Sequence, residues 1–197
     1  MEWLTRMLPA LRENAQHAKF EVGMAVLPGK EHEPPVFVNG TGDSVTFPTL
    51  QAVLLAHTHP DYMYPGTVYH PPTGNDIAQF LRATAEQIAS RKPNMGSVPF
   101  PEAIPPLVFV VTSKGMWQIK GLTPTAKLEL NKVVEAIMLF TPEKRIEEDD
   151  FLQVAEQNAD DYGWWLNRGE ITVRQYLEAM RTLWGKDMGV NIVYTSF

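Results

Sequence analysis

Three short stretches of the chain carry side chains whose types and spacing could do chemistry together: Glu21 in Phe20-Glu21-Val22-Gly23-Met24, His57 and His59 in Ala56-His57-Thr58-His59-Pro60, and Thr73 and Asp76 in Thr73-Gly74-Asn75-Asp76. Two histidines at i and i+2 of an extended segment face the same side of a sheet, so both imidazoles can reach one ion. Asp76 falls in the first turn of a following helix and offers a third, oxygen ligand. Two nitrogens and one oxygen leave a fourth position for water, the pattern of a catalytic rather than a structural zinc site. A hydrolytic site of that kind needs a base. Glu21 is the candidate, because a carboxylate inside an otherwise apolar run is costly unless something there uses it. Glu31 and Glu33 also precede the histidines but sit in a Pro-rich stretch.

Each signal alone has a structural explanation. Thr73 and Asp76 make a helix-capping pair, with Asp in the place of the usual Glu, and histidines are common hydrogen-bonding residues at strand ends. Their order is more informative: a Glu on an early strand, then His-x-His-Pro, then a hydroxyl residue and an Asp opening a helix. In these motifs the chain resembles the JAMM/MPN zinc metalloprotease family, in its bacterial and phage-like branch, over residues 1–122. The resemblance implies an α+β fold, a three-layer cytidine-deaminase-like core with a mixed β-sheet flanked by helices. It implies Zn2+ held by His57, His59 and Asp76, Glu21 as general acid/base, and Thr73 as the hydroxyl that steadies an oxyanion. The implied reaction is hydrolysis of a peptide or isopeptide bond in a protein or peptide substrate, a ubiquitin-like conjugate among them. Thr73 stands where the family has Ser, and the thirteen residues between His59 and Thr73 exceed the family's usual interval. That insertion, with Tyr62, Tyr64, Tyr69 and His70, is expected to overhang the site as a groove wall or a lid.

The elements that must position these residues follow from periodicity. Apolar residues at Trp3, Leu4, Met7, Leu8 and Leu11 predict an amphipathic helix, with Pro9 threatening a break. Residues 20–27 predict a strand. Val36–Val38 and Ser44–Phe47, flanking Asn39-Gly40, predict a hairpin. Residues 50–59 predict a strand that ends in the two histidines, and 60–72 a long ordered loop. Ile77, Phe80, Leu81, Thr84 and Ile88 share one face of a helix opening at Thr73. Five prolines make 91–106 a loop, and Leu107–Thr112 and Met116–Ile119 predict a second hairpin whose Gly115 is free to adopt positive φ. Helical spacing returns over 128–140, 147–162 and 171–184, with 191–194 as a final strand. The chain thus divides into a core over 1–122 and a helical C-terminal extension over 123–197 packed on it. Within the long loop, Asp61 is expected to bond inside its turn, His70 to be a loop residue, and the tyrosines to pack the loop. Trp164 and Trp165 are expected to anchor the extension, and 143–150 to be a solvated charge run.

Composition narrows the functions. The 197 residues include no Cys, which excludes disulfides, thiol nucleophiles and thiolate metal sites. A net charge of −6, with 17 Lys and Arg in no cluster larger than an adjacent pair, argues against nucleic acid as a partner. No apolar run approaches the length of a membrane span, and Glu2, Arg6, Arg12 and Glu13 interrupt the N-terminal segment, so a cytoplasmic protein is expected. Two other uses of such a domain stand beside the hydrolase: a non-catalytic scaffold, and a toxin or effector module whose C-terminal helices bind a partner.

Overall fold

The computed structural model describes residues 2–41, 44–47, 52–62, 65, 69–90, 107–121, 150–185 and 189–197, and all statements below concern these. The expected helix over 128–140, the 91–106 loop and Tyr64 lie outside them. Six strands form one mixed sheet: β1 (Val22–Val26), β2 (Val36–Asn39), β3 (Leu54–Thr58), β4 (Leu107–Val111), β5 (Gly115–Gly121) and β6 (Val190–Ser196), in the order β2-β1-β3-β4-β5-β6. Only β3 and β4 run parallel; every other neighbouring pair is antiparallel. Four helices flank the sheet: α1 (Glu2–His17), α2 (Gly74–Ser90), α3 (Asp150–Asn167) and α4 (Val173–Met180), the last running into a π-helical turn at Arg181–Gly185.

Alternation along the strands sorts the core into two faces. Met24, Val26, Leu54, Ala56, Phe109 and Val111 point to one side and pack with Leu4 and Leu11 of α1. Ala25, Leu55, Val108, Val110, Trp117 and Ile119 point to the other and meet Ile77, Phe80 and Leu81 of α2, Ala159 and Leu166 of α3 and Tyr176 and Met180 of α4. Central strand β3 is buried at all five positions, which is why Leu54-Leu55-Ala56 reads as a continuous apolar run. Helix α1 continues through Pro9, which lies on its solvent side. The α+β class and the mixed sheet flanked by helices are as expected.

Two local expectations are corrected. Residues 44–47 do not pair with β2; β2 folds back on β1 instead, with Val22 opposite Asn39 and Ala25 opposite Val36. The Gly40 N–H bonds the Glu21 carbonyl at 2.8 Å, and the chain then crosses the sheet at Gly23, where a Cβ would lie 2.5 Å from Val45 and 2.8 Å from Phe47. Packing over a bare glycine outweighs the turn signal of Asn39-Gly40. The β4–β5 hairpin does form, yet Gly115 is not among the residues at positive φ. It is needed for space: a Cβ there would come within 2.5 Å of the Tyr194 ring on β6. Among the described residues, α3, α4 and edge strand β6 contribute Ala159, Leu166, Tyr176, Met180, Val190 and Ile192 to the same buried cluster as side chains of β1, β3, β4 and β5.

Candidate metal centre

The site forms at the C-terminal end of β3. His57 is the penultimate residue of β3, level with Gly23 and Val110, and the His59 N–H extends the ladder to the Val111 carbonyl at 3.0 Å. The intervening Thr58 turns to the other face, where its hydroxyl donates to Asn14 Oδ1 at 2.8 Å and accepts the Val22 N–H at 3.0 Å. That pair of bonds ties the strand end to α1 and to the segment carrying Glu21, and leaves both imidazoles on the α2 side.

There the side chains converge. His57 Nε2 and His59 Nε2 are 3.2 Å apart; Asp76 Oδ1 lies 3.1 Å from the first and Asp76 Oδ2 3.4 Å from the second. Ligating atoms of all three buried residues fall within 4.8 Å of one another. Glu21, immediately before β1 and only 3% exposed, brings Oε1 to 3.7 Å from His59 Nε2. All five residues singled out from the sequence line one cavity of about 40 Å³, together with Ser44, Val45, Phe47, Asn75 and Gln79. Two imidazole nitrogens and a carboxylate around a void of this size fit a small divalent cation with a water.

The electrostatics fit the same use. Burial disfavours charge on His57, but the neighbouring Asp76 carboxylate, with Glu21 behind it, outweighs burial and raises its pKa above the ordinary histidine value. Burial likewise works against ionised Asp76, and the two imidazoles overcome it, holding the carboxyl well below the usual range. Below the raised His57 pKa the metal-free cluster is a buried ion pair that holds a proton. A divalent ion replaces that proton, which is how metal sites couple to pH.

Thr73 and Asp76 cap α2 reciprocally: Thr73 Oγ1 accepts the Asp76 N–H at 3.2 Å and Asp76 Oδ2 accepts the Thr73 N–H at 2.7 Å. The Thr73 hydroxyl also donates to Asp76 Oδ2 at 2.9 Å. Capping and ligation are therefore one arrangement, since the bonds that close the first turn also orient the carboxylate.

Several expectations about the long loop change. Among the described residues, the wall facing the cavity comes from Val45 and Phe47, which pack over Gly23; residues 63, 64 and 66–68 of the expected overhang lie outside the described residues. His70 is no bystander: it is 2% exposed, its main-chain carbonyl lies 3.2 Å from His59 Nδ1, and its Nε2 lies 3.2 Å from Asp61 Oδ1. Burial, with the neighbouring His59, lowers the His70 pKa in spite of Asp61. Asp61 also accepts from Ser113 Oγ at 2.8 Å and its N–H bonds the Ala15 carbonyl at 2.8 Å, so it ties the loop to the β4–β5 turn and to α1. Tyr62 is 61% exposed and does not pack the loop, whereas Tyr69 stacks edge-on against Tyr194. Trp164 is exposed beneath Arg168 and anchors nothing; Trp165 is half-buried against Tyr162. Gln79 was missed although it lies three residues beyond Asp76 on α2, a spacing that puts it on the same face. Ser44 gave no signal.

Comparisons of the chain with protein-family models, with curated proteins and with solved structures find no match. The site must therefore be argued from its own geometry.

Proposed function

We propose that the protein is a metal-dependent hydrolase of peptide or isopeptide bonds, with Zn2+ the preferred ion. One observation carries the reading: the nitrogens of His57 and His59 and the Asp76 carboxylate converge in a buried pocket with a second carboxylate, Glu21, beside them. His57, His59 and Asp76 would hold the ion, and Glu21, set back from the triad, would carry out proton transfer. A cation bound there supplies Lewis-acid chemistry, polarising a carbonyl and making water nucleophilic near neutral pH. The chain's own part is then proton handling. Glu21 takes a proton from water as the water oxygen adds to the scissile carbonyl carbon, and returns it to the nitrogen as the C–N bond breaks. Thr73 would steady the oxyanion by turning its hydroxyl from Asp76 toward the cavity. This is the reaction that resemblance to JAMM/MPN metalloproteases implies, and protein or peptide substrates, ubiquitin-like conjugates included, are the ones to try.

Metal analysis of protein purified without added zinc, followed by cleavage assays on linear and isopeptide-linked ubiquitin-like conjugates, tests the proposal. About one equivalent of zinc and cleavage abolished by chelator are expected. A metal-free protein whose affinity stays weaker than millimolar would end it. The small cavity under Val45 and Phe47 favours one second reading, a non-catalytic module that keeps a metal for structure. Stoichiometric zinc with no cleavage of any conjugate would select it.

A further inference from the structure

The role of α3 is unexplained by the triad, yet two side chains of this helix reach the segments that carry it. Asp160 Oδ1 accepts the Gly74 N–H at 2.7 Å, at the first turn of α2 beside Asp76. Asn167 Oδ1, at the last residue of α3, accepts the His70 N–H at 2.9 Å. Between them Gly163 lies against Pro71, where a Cβ would meet the ring at 3.3 Å, so the helix approaches the loop closely along its length.

His70 is the one non-glycine among the described residues with positive φ, at 42°. Such a conformation is strained for a residue with a Cβ and persists only where its surroundings enforce it. Here Asn167 holds the N–H, Asp61 faces the ring, and the residue is buried. The consequence is carried to the next group along: the His70 carbonyl points at His59 Nδ1 at 3.2 Å. A carbonyl only accepts, so the contact is a hydrogen bond only if Nδ1 carries the proton. Nε2, the nitrogen that faces His57 and Asp76, is then the one with a lone pair.

We propose that Asn167 is a positioning residue for the metal centre: by accepting the His70 N–H it fixes the carbonyl that sets the His59 tautomer and so presents Nε2 to the cation. The inference rests on the reading that this site binds a metal. It gives the C-terminal helices a role in that site, since a residue 108 positions after His59 completes the support of its imidazole. Groups that orient a ligating histidine in this way typically contribute 10- to 100-fold in metal affinity.

The experiment uses the full chain and two readouts: zinc affinity by competition with a chromophoric chelator, and the protonation of the His59 ring by nitrogen-detected NMR on metal-free protein. Wild type should carry the His59 proton on Nδ1. Asn167→Leu, close in shape without the acceptor, should weaken zinc binding about 10- to 100-fold and mix the His59 tautomers. Asn167→Asp keeps an oxygen in place and should restore both. A purely structural Asn167 would lower the melting temperature of the Leu variant and leave the ring signals alone. Wild-type affinity and ring signals in Asn167→Leu would overturn the proposal, and so would a wild-type His59 protonated on Nε2, a measurement that needs no variant to fold. Failure of wild type to bind zinc would end the metal reading, while the ring signals in the metal-free protein would still judge the relay.

Discussion

If the site binds a divalent cation as proposed, a proton and the cation compete for the same side chains, and the competition makes the residues separable by experiment. Replacing His59 by Ala removes a ligand and should abolish stoichiometric zinc. Glu21→Gln removes a base and keeps the ligands, so zinc should stay while turnover falls by about two orders of magnitude or more. Loss of zinc in Glu21→Gln would make Glu21 a ligand instead. The pH dependence of metal-free stability is a second expectation. Because folding raises the pKa of His57, its contribution is fully present below the unfolded value of about 6.5 and is lost as pH climbs through the folded value. His70, whose pKa is lowered by burial, acts in the other window, withdrawing stability as pH falls below about 6.5. Asp76, held low, withdraws its contribution only at far more acidic pH. Chemical denaturation of the metal-free protein should therefore show stability declining above neutrality, while zinc affinity rises over the same interval because the competing proton leaves. Metal-free stability that increases from about pH 6.5 upward would contradict the His57–Asp76 pairing.

At the scale of elements, what could be read from the sequence is what local periodicity carries. His57 and His59 share a face because β3 is a strand, and Asp76 opens α2 because Thr73 caps it; both facts need only neighbours. Glu21 was legible as a charge among apolar residues. The wall over the site was not, since Val45 and Phe47 reach it by packing on Gly23, and an Asn-Gly pair signals a turn without saying what it pairs. Nor was the support of His59, which depends on Asn167 meeting His70 across 97 residues. These readings lead to two expectations. Gly23→Ala should force Val45 and Phe47 outward, destabilising the protein by roughly 1–3 kcal/mol as overpacking does. If that wall limits entry, the variant's residual folded population should exchange zinc with chelator faster; unchanged exchange would remove 44–47 as a barrier. Thr73→Val keeps the shape and loses the hydroxyl, which should cost ~1 kcal/mol through the cap and about 10²-fold in turnover if the hydroxyl steadies an oxyanion. A stable, zinc-loaded and fully active Thr73→Val would confine Thr73 to capping.

At the scale of the whole molecule, a single buried cluster runs from Ala25 on β1 to Ile192 on β6 and includes all three helices on that side of the sheet. The candidate metal ligands stand at the end of β3, just beyond it and on α2, inside this cluster's frame, and the supports come from α1 through Asn14 and from α3 through Asp160 and Asn167. A ligand that binds only the folded state should then stabilise every layer together. At about 1,000 times Kd, zinc would add about 4 kcal/mol, which for a chain of this size corresponds to a rise in Tm of roughly 8–16 °C. Hydrogen exchange is the sharper measurement, because it reports each strand separately. Slowest-exchanging amides of β1, beside the site, and of β6, at the far edge of the sheet, should gain equal protection on zinc binding. Protection confined to β1, β3 and α2, with β6 exchanging as before, would mean that α3, α4 and β6 open as a separate unit. In that case zinc affinity would be the same with the C-terminal unit open or closed, and Asn167 would contribute nothing to zinc retention.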